Sequence, residues 1–460
     1  MRNMDLRGKK VLVVGLARTG IATAKFLKAK GSFVTATEVK PEEEMGEALQ
    51  ELKGMDIKAE WGGHRIETFL KQDLIVVSPG VDLGIEPIQK AMKHGVRVIG
   101  EIELAYHFIH IPIIAVTGTN GKTTTTLLIG EMLKEDGKKA GVGGNVGEPL
   151  VLFADGKDRW EVLVVEISSF QLEAIEGFRP RISVLLNITE DHLDRYPSYN
   201  DYIEAKVRIF ANQNSGDVAV LNRDDPIVMQ YQEKVKAKKV LFSLRERLEE
   251  GAFSNGQTIL LKLGEKGEEY SLAKTPLKGI HNVENMMAAL TAARVFGCSK
   301  KAIQDTLNRF EGLEHRLEFV REIQGVRFYN DSKGTNVGSV VKSLQSFSGP
   351  VILIAGGKDK NGDLNPLKEL IQKRVKHLIL IGDAKERMNR ELGGLTDTAI
   401  AETMEEAVFL AHQKAKGGEV VLLSPACSSF DMFKDYKERG KVFKEAVHKI
   451  STKSQAPNYN

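Results

Sequence analysis

Short apolar runs alternate with longer stretches of helical periodicity along most of the chain. These runs occupy residues 11–14, 33–36, 74–77, 162–166, 182–187, 351–355, 377–381 and 420–423. Short apolar runs that end in turn residues are typical of buried strands, and strands that alternate with helices are typical of parallel sheets. The pattern therefore predicts an α/β fold.

The same pattern divides the chain into three blocks. At 460 residues the chain is too long for one ordinary hydrophobic core. We place the boundaries so that the blocks cover residues 1–100, 101–312 and 313–460. Within the second block, residues 242–271 form short alternating segments punctuated by Asn255-Gly256 and Gly264, which predicts a small antiparallel addition.

Composition narrows the class of partner. The chain is 42% hydrophobic and 28% charged, an ordinary mixture for a soluble globular protein. Its 65 Lys and Arg residues against 62 Asp and Glu residues leave a net charge of +3, too small to favour nucleic acid or an anionic membrane. We therefore expect small-molecule partners.

The compartment is predicted from cysteine usage and from apolar run lengths. Only Cys298 and Cys427 occur, which suits a reduced compartment, and we expect both to be buried packing residues. The N-terminus lacks the apolar segment of a signal peptide, and no run approaches the roughly 18 residues that a membrane span needs. We expect a cytoplasmic protein without membrane insertion.

The first block begins like a dinucleotide-binding fold. A strand at 11–14 is followed by Gly15-Leu-Ala-Arg-Thr-Gly20, a helix predicted over 21–30, and Glu38 after the second strand. Ala17 stands where the middle glycine of G-x-G-x-x-G would be, so the signature is incomplete. A purely structural turn is the alternative interpretation.

A glycine-rich segment, Gly118-Thr-Asn-Gly-Lys-Thr123, lies between an apolar strand and a predicted helix. Backbone amides at a helix N-terminus favour phosphate through hydrogen bonds and the helix dipole. Lys122 supplies a compact positive charge, and Thr123 can place a hydroxyl on magnesium. The longer P-loop motif requires glycine at position 116, where Val116 stands, so a surface turn is the alternative.

Three residues downstream have the chemistry of a nucleotide and metal site. Glu166 ends a strand, where the carboxyl edge of an open α/β sheet binds ligands. His192 follows another buried strand, and Lys206 lies in an amphipathic helix. Taken singly, each has an ordinary alternative: a solvated strand end, a structural histidine and a solvated helix face.

Seven segments in order resemble one family. They are residues 118–123, 166–172, 191–196, 205–209, 281–285, 315–316 and 331–336. Together they resemble the Mur ligases of peptidoglycan synthesis, over about residues 11–440. Segments 331–336 and 424–429 are most similar to family members that accept D-glutamate.

The resemblance implies a three-domain α/β fold and a reaction. Residues 1–100 would form a Rossmann-like domain for the uridine nucleotide substrate, and residues 101–312 a P-loop-type ATPase with a mostly parallel sheet. Residues 313–460 would form a mobile Rossmann-like domain for the amino acid. The carboxylate of UDP-N-acetylmuramoyl-L-alanine would attack the γ-phosphate of ATP, and the amine of D-glutamate would attack the resulting acyl phosphate.

The resemblance also implies the residues of the ATP site and the chemical step. The ATP-binding residues would be Gly118, Thr119, Asn120, Gly121, Lys122, Thr123, Thr124, Asn285, Arg316 and Asp331. The catalytic residues would be Lys122, Glu166, His192 and Lys206, with Lys206 carbamylated by carbon dioxide. Two magnesium ions would be held with the help of Thr123, Glu166, His192 and the Lys206 carbamate.

Two further residue sets follow from the resemblance. Arg18, Thr19, Glu38, Gly80, Asn145 and His192 would contact the UDP-linked substrate, although Glu38 replaces the usual aspartate. Lys333, Thr335, Lys360, Ser429 and Tyr436 would form the D-glutamate pocket, where cations and donors meet two carboxylates. Tyr436 stands where an aromatic residue is usual, and its role would rest on its backbone.

Other functions stay open at this point. Mur ligases that add L-alanine or a diamino acid differ mainly in the third block, and folylpolyglutamate synthase shares the loop and the carbamylated lysine. Against folylpolyglutamate synthase stand the first block and residues 331–336. A different class would be an ATP-dependent switch that regulates a protein partner. We expect a monomer with ATP, magnesium and carbon dioxide as cofactors.

Overall fold

The computed structural model describes residues 4–55, 57–155, 159–193, 195–277, 279–360 and 362–450. Three separate sheets account for all the named strands, and each sheet belongs to one stretch of the chain. The predicted α/β class is confirmed. Asp194, in the segment 191–196 quoted above, lies outside the described residues.

The first sheet has five parallel strands in the order β3-β2-β1-β4-β5. The strands are β1 (Lys10–Val14), β2 (Phe33–Thr37), β3 (Lys58–Glu60), β4 (Leu74–Val77) and β5 (Arg97–Gly100). The helices are α1 (Arg18–Ala29), α2 (Gly46–Gly54), α3 (Ile66–Leu70), α4 (Glu86–Lys93) and α5 (Glu101–Tyr106). The strand order reverses between β1 and β4, where open α/β sheets bind ligands.

Helix α1 begins at Arg18, three residues before the start predicted from periodicity. The cause is the tight turn after β1, in which Gly15 has a φ of 84°. A Cβ on Gly20 would lie 1.8 Å from the Gly15 carbonyl oxygen, so only glycine fits there. The two glycines let the helix start directly above the end of the strand.

The second sheet has nine strands in the order β14-β13-β12-β11-β10-β9-β6-β8-β7. They are β6 (Ile113–Thr117), β7 (Ala140–Gly144), β8 (Val162–Glu166), β9 (Ile182–Leu185), β10 (Val218–Asn222), β11 (Lys238–Ser243), β12 (Gly251–Ser254), β13 (Thr258–Lys262) and β14 (Gly267–Ser271). The helices are α6 (Lys122–Glu135), α7 (Ser169–Glu173), α8 (Tyr199–Val207), α9 (Pro226–Gln230), α10 (Ile280–Phe296) and α11 (Lys300–Arg309). Pairing is antiparallel at β12–β13 and β13–β14, which confirms the predicted addition and shows that it extends the edge of the central sheet.

The third sheet has six strands in the order β15-β16-β20-β17-β18-β19, of which β15 alone runs antiparallel. They are β15 (Glu318–Ile323), β16 (Val326–Asn330), β17 (Val351–Gly356), β18 (Val375–Ile381), β19 (Asp397–Ile400) and β20 (Val420–Leu423). The helices are α12 (Val337–Gln345), α13 (Asn365–Arg374), α14 (Lys385–Leu392), α15 (Met404–Lys414) and α16 (Tyr436–Lys449).

The central strands are buried on both faces, which explains why their sequences are continuously apolar. On β17, Leu353 packs in one hydrophobic cluster while Ile352 and Ile354 pack in another on the opposite face. Both cysteines are buried and unpaired, as expected. Among the described residues no helix is both long and apolar enough to cross a bilayer.

Replacing Gly20 with alanine should destabilise the first sheet and its helices. The new Cβ would collide with the Gly15 carbonyl, and overpacking of this kind costs about 1–3 kcal/mol. Urea unfolding should show an earlier first transition for Gly20→Ala. Gly54→Ala is the matched control, because that helical glycine has open space around its Cβ position and alanine favours helix by up to about 1 kcal/mol. Equal stability of the two variants would contradict the prediction.

Candidate active site

The glycine-rich loop connects β6 to α6 at the carboxyl edge of the central sheet. Gly121 occupies the N-cap position of α6 with a φ of 86°, and no side chain caps the helix. The amides of the first turn therefore have no intrahelical acceptor. A Cβ on Gly121 would lie 2.1 Å from Asn285 Oδ1, so any side chain at this position would collide with Asn285. The geometry suits an anion at this helix end.

Asn187 holds this loop in place. Its carbonyl oxygen accepts a hydrogen bond from the Thr119 amide at 2.8 Å, and its Oδ1 accepts from the Asn120 amide at 2.8 Å. Its Nδ2 donates back to the Asn120 carbonyl at 3.1 Å. The loop is thus ordered by a residue that the sequence offered only as the end of an apolar run.

Two lysines donate to the same backbone oxygen. Lys122 Nζ donates to the carbonyls of Gly118 and Thr119 at 2.9 and 2.8 Å, and Lys206 Nζ donates to Gly118 at 2.9 Å. Among the described residues neither lysine forms an ion pair with a carboxylate. Burial lowers the pKa of both amines, and the neighbouring Lys122 charge lowers the pKa of Lys206 further. Lys206 is only 2% exposed, so it does not lie on a solvated helix face.

Glu166 ends β8 beside this loop and is 2% exposed. Its Oε1 accepts a hydrogen bond from Asn145 Nδ2 at 2.7 Å. Its Oε2 is buried without a hydrogen-bond partner among the described residues. A buried carboxylate oxygen in this state is costly unless a cation or donor reaches it, so Glu166 fits a magnesium ligand.

His192 lies in a strained turn after β9. Its φ is 56°, in the left-handed region that non-glycine residues rarely adopt. The amides of Arg195 and Tyr196 both donate to the His192 carbonyl at 3.0 Å, which closes the turn. The imidazole packs edge-on against Phe170 at 4.9 Å between ring centroids, and burial lowers its pKa.

The described residues contain no cluster of three or more His, Cys, Asp and Glu side chains arranged to hold a metal. A site assembled from protein groups alone is therefore absent from the described ranges. Magnesium in nucleotide sites keeps waters and phosphate oxygens as ligands, so one or two protein carboxylates are enough. The unpartnered Oε2 of Glu166 is the feature that fits the ion.

The third unit reaches the loop through Arg316. Arg316 Nη2 donates to Thr123 Oγ1 at 3.0 Å, and the nearby Asp331 accepts from Ser343 and Ser424 at 2.7 Å each. A narrow cleft lies between the two units. Of the predicted ATP residues, its lining contains Asn120, Gly121, Thr124, Asn285, Arg316 and Asp331. The structure thus brings residues from two sheets to one phosphate-type loop.

Backbone strain is concentrated at these loops. Among the described residues, five non-glycine residues have positive φ, and four of them lie in these loops: His192, His315 (65°), Leu317 (47°) and Ala426 (60°). The fifth, Gln324 (52°), lies in the turn between β15 and β16. His315 and Leu317 flank Arg316, and Ala426 lies in the loop after β20. Such conformations cost of order 1–3 kcal/mol each and persist where surrounding contacts enforce them, commonly at functional sites. The strain is a signal that the sequence does not display.

The predicted D-glutamate residues do not share one cavity. Thr335 and Lys360 line a cavity of about 490 Å³ that is also lined by His192. Lys333 lines the nucleotide cleft instead, with its Nζ 4.0 Å from the Tyr436 ring centroid, and burial lowers its pKa to about 8. Ser429 is 2% exposed and lines neither cavity, and the Tyr436 carbonyl is occupied by the Ser332 hydroxyl at 2.8 Å.

Asp191 is a site residue that motif reasoning missed. Its Oδ1 lies 3.3 Å from Lys360 Nζ, and its Oδ2 accepts from Asn336 Nδ2 at 3.1 Å. Asn336 also exchanges amide hydrogen bonds with Asn120 at 3.3 and 3.4 Å. The position of Asp191 beside His192 was the available signal, but its partners come from the third unit.

Four of the six predicted UDP-substrate residues, namely Arg18, Thr19, Glu38 and Gly80, follow strands at the carboxyl edge of the first sheet, whereas Asn145 and His192 belong to the central unit. Glu38 Oε2 accepts from the Leu16 amide at 2.7 Å and so ties the second strand to the turn after the first. A Cβ on Gly80 would meet nothing within 4 Å, so this residue faces open space. Arg18 Nη1 donates to the Gly147 carbonyl of the central unit at 2.8 Å. Thr19 lies beside Arg18 in the first turn of α1, and its carbonyl accepts from Thr23 Oγ1 at 2.8 Å.

Fold and site together define a class: three α/β units with a phosphate-type loop in the middle unit, facing cationic residues of the third. Family models match each unit. The Mur ligase MurD-like N-terminal domain matches residues 9–100, the Mur ligase middle domain residues 116–293, and the Mur ligase glutamate ligase domain residues 315–427. The chain belongs to the Mur ligase family, whose members depend on ATP and magnesium.

Full-length relatives are similar throughout. A UDP-N-acetylmuramoylalanine–D-glutamate ligase of Geotalea daltonii is 54% identical over 97% of this chain and 99% of its own. One of Geobacter metallireducens is 51% identical over 98% and 99%. Among solved structures, MurF of Acinetobacter baumannii has a TM-score of 0.60 at 17% identity, covering 95% of this chain and 93% of its own. The UDP-N-acetylmuramate-alanine ligase of Thermotoga maritima has a TM-score of 0.58 at 18% identity, covering 96% and 99%. These structures show the same three-domain fold.

Replacing Asp331 with asparagine should stabilise the protein above neutral pH. Burial raises the pKa of Asp331 from 3.8 to about 6, so the folded state favours the protonated form. The stabilising contribution of the protonated side chain is complete below pH 3.8 and is lost as the pH rises through 6. The loss in free energy of unfolding is about 1–3 kcal/mol. A neutral amide at this position would avoid that loss.

Urea unfolding at pH 4 and at pH 7.5 measures the effect of Asp331→Asn. The free energy of unfolding of the variant should be clearly higher than that of the wild type at pH 7.5 and only slightly higher at pH 4. The exposed Asp363→Asn, whose Oδ1 accepts from the Asn365 amide at 2.9 Å, is the control and should show no such gap. A difference that does not change with pH would refute the assignment.

Proposed function

We propose that this protein is an ATP-dependent ligase that joins D-glutamate to UDP-N-acetylmuramoyl-L-alanine in peptidoglycan precursor synthesis. The observation that carries the proposal is the convergence of Lys122, buried Glu166 and Arg316 of the third unit on the loop after β6. Relatives at 51–54% identity that bear the D-glutamate ligase name support this choice within the family.

The reaction begins with an encounter between anions. The carboxylate of the alanyl group attacks the γ-phosphorus of ATP, the bond to the β-phosphate oxygen breaks, and ADP leaves. Lys122 and the amides of the loop offset the charge that develops on the phosphoryl oxygens. Thr123 and Glu166 would hold magnesium, which adds further neutralisation of that charge.

The second step forms the amide. The amine of D-glutamate attacks the acyl carbon, phosphate leaves, and the amine releases a proton. Lys360 and Thr335, in the cavity that also contains His192, are the groups we assign to the carboxylates of the acceptor. The two cavities adjoin at Lys342, which lines both, so we place acceptor and nucleotide next to each other.

We further propose that Lys206 acts as a carbamate. An ammonium at Lys206 would place a second positive charge on the Gly118 carbonyl that Lys122 already occupies. The neutral amine would attack the carbon of carbon dioxide, form an N–C bond and release one proton to solvent, which leaves a carbamate anion. This anion, with Glu166 and His192, would then help to hold a second magnesium ion. Burial to 2% exposure supports the neutral amine that carbamylation needs.

The remaining assignments follow from this function. Residues 1–100 would hold the uridine nucleotide through Arg18, Thr19, Glu38 and Gly80, with Asn145 contributing from the second domain. Residues 101–312 and 313–460 would hold ATP and the amino acid. We expect the protein to act as a monomer in the cytoplasm.

An acceptor screen tests the proposed function. With ATP and UDP-N-acetylmuramoyl-L-alanine, product should form with D-glutamate and not with L-glutamate, and phosphate release should require both substrates. Three parallel incubations test the rival ligases. They contain UDP-N-acetylmuramate plus L-alanine, UDP-N-acetylmuramoyl-L-alanyl-D-glutamate plus a diamino acid, and a folate plus L-glutamate. Release of phosphate without either substrate would favour the ATP-dependent switch.

Lys206→Ala should lose most ligation, with a fall in kcat of at least about 100-fold, because one arm of the metal site is removed. Acetate or formate should restore part of the activity by supplying a carboxylate in the vacated space. Lys122→Ala is the matched control: it removes a lysine from the same carbonyl, but its role requires positive charge, so acid should not rescue it. Full activity of Lys206→Ala without acid would exclude the carbamate role.

A further inference from the structure

The turn after β4 carries Gly80, and on one side it is held by the turn after β1. The Val81 amide donates to the Ser78 carbonyl at 3.0 Å, which closes the turn. The Ser78 hydroxyl donates to the Gly15 carbonyl at 2.7 Å. The two turns at the switch point of the first sheet are therefore fixed to each other.

Arg195 of the central unit holds the same turn on its other side. Its Nη2 donates to the Val81 carbonyl at 3.3 Å, and its Nη1 lies 3.0 Å from Asp82 Oδ1. Nη2 also lies 3.4 Å from Glu173 Oε2, and the guanidinium carbon lies 5.6 Å from the Phe170 ring centroid. One planar group thus joins two units through a carbonyl and two carboxylates, an arrangement that suits arginine and not lysine.

The backbone of Arg195 closes the strained His192 turn. Its amide donates to the His192 carbonyl at 3.0 Å, where His192 has a φ of 56°. Phe170 contacts the imidazole on one side and the Arg195 guanidinium on another. The same residue therefore fixes the position of His192 and the position of the turn that presents Gly80.

We propose that Arg195 is a positioning residue that sets the UDP-linked substrate against the His192 turn. The inference rests on the proposed function, because Gly80 and His192 are then two contacts of one substrate. Asp82 is half exposed, so solvent screens its ion pair with Arg195 and the pair adds little to stability. Its effect is on alignment, since a misplacement of about 1 Å in a reacting group can cost about 100-fold in rate.

Steady-state kinetics of Arg195→Ala test this role. The KM for UDP-N-acetylmuramoyl-L-alanine should rise about tenfold and kcat should fall, while the KM for ATP stays within about twofold. Arg195→Lys should recover part of the loss, because an ammonium reaches one acceptor but not all three. Calorimetry should show the same weakening of UDP-sugar binding.

Arg97→Ala is the matched control. Arg97 joins the same two units, with its Nη2 2.6 Å from Glu176 Oε2, but it lies at the amino end of β5, opposite Leu74. Its loss should leave both KM values unchanged. Arg195→Ala kinetics that match those of Arg97→Ala would overturn the proposal.

Asp82→Asn keeps the inference testable where Arg195→Ala fails to fold. Asparagine can still accept the Gly84 amide that Asp82 Oδ1 accepts at 2.6 Å, so the local turn survives while the ion pair is lost. The KM for the UDP-sugar should rise with this variant too, and an unchanged KM overturns the inference. A wild type that ligates D-glutamate while these variants behave normally refutes the inference alone. A wild type that neither binds the UDP-sugar nor ligates refutes the proposed function as well.

Discussion

Two lysine side chains converge on the carbonyl oxygen of Gly118, and the rest of the site is arranged around that positive charge. Burial disfavours the charged form of both amines, and the Lys122 charge lowers the pKa of Lys206 further, so two ammonium groups are not stable side by side here. Glu166 lies beside the loop, and its Oε2 has no hydrogen-bond partner within the part of the chain that the structure describes. Phosphate and a lysine carbamate are anions that would balance this pocket, so the charge pattern itself favours polyphosphate chemistry.

The positive charge at the loop after β6 can act on the substrates only if the carboxyl edges of the three sheets face one another. The loop after β6 depends on Asn187 for its shape, on Arg316 for its contact with the third unit, and on Asn120 for its link to Asn336. The contacts described here between the central and third units are polar: the Arg316–Thr123 and Asn336–Asn120 hydrogen bonds and the Asp191–Lys360 ion pair. The strained residues His315 and Leu317 lie beside Arg316, so this contact is held by the backbone as well as by the side chain.

The sequence predicted best what depends on short stretches of chain. Strands such as β17 were evident because both faces are buried, and Glu166 because it ends such a strand. The start of α1 was placed three residues late, since it depends on the fit of Gly20 against Gly15. The sequence could not show that Lys206 is buried, because its partner Gly118 is 88 residues away along the chain. It could not show what Asp191 binds either, because Lys360 is 169 residues away.

The contact between Asp191 and Lys360 limits what charge can do for the acceptor. On the proposed function, an incoming glutamate carboxylate meets a lysine that already has a carboxylate 3.3 Å away. Exchanging one ion pair for another gains little free energy, so charge alone gives weak affinity. Discrimination between D- and L-glutamate must then come from fixed donors and from the position of the acyl carbon. On this view stereospecificity depends on how the acceptor is aligned with the acyl carbon. The proposed coupling of the His192 turn to the first unit acts in the same way, by aligning the substrate.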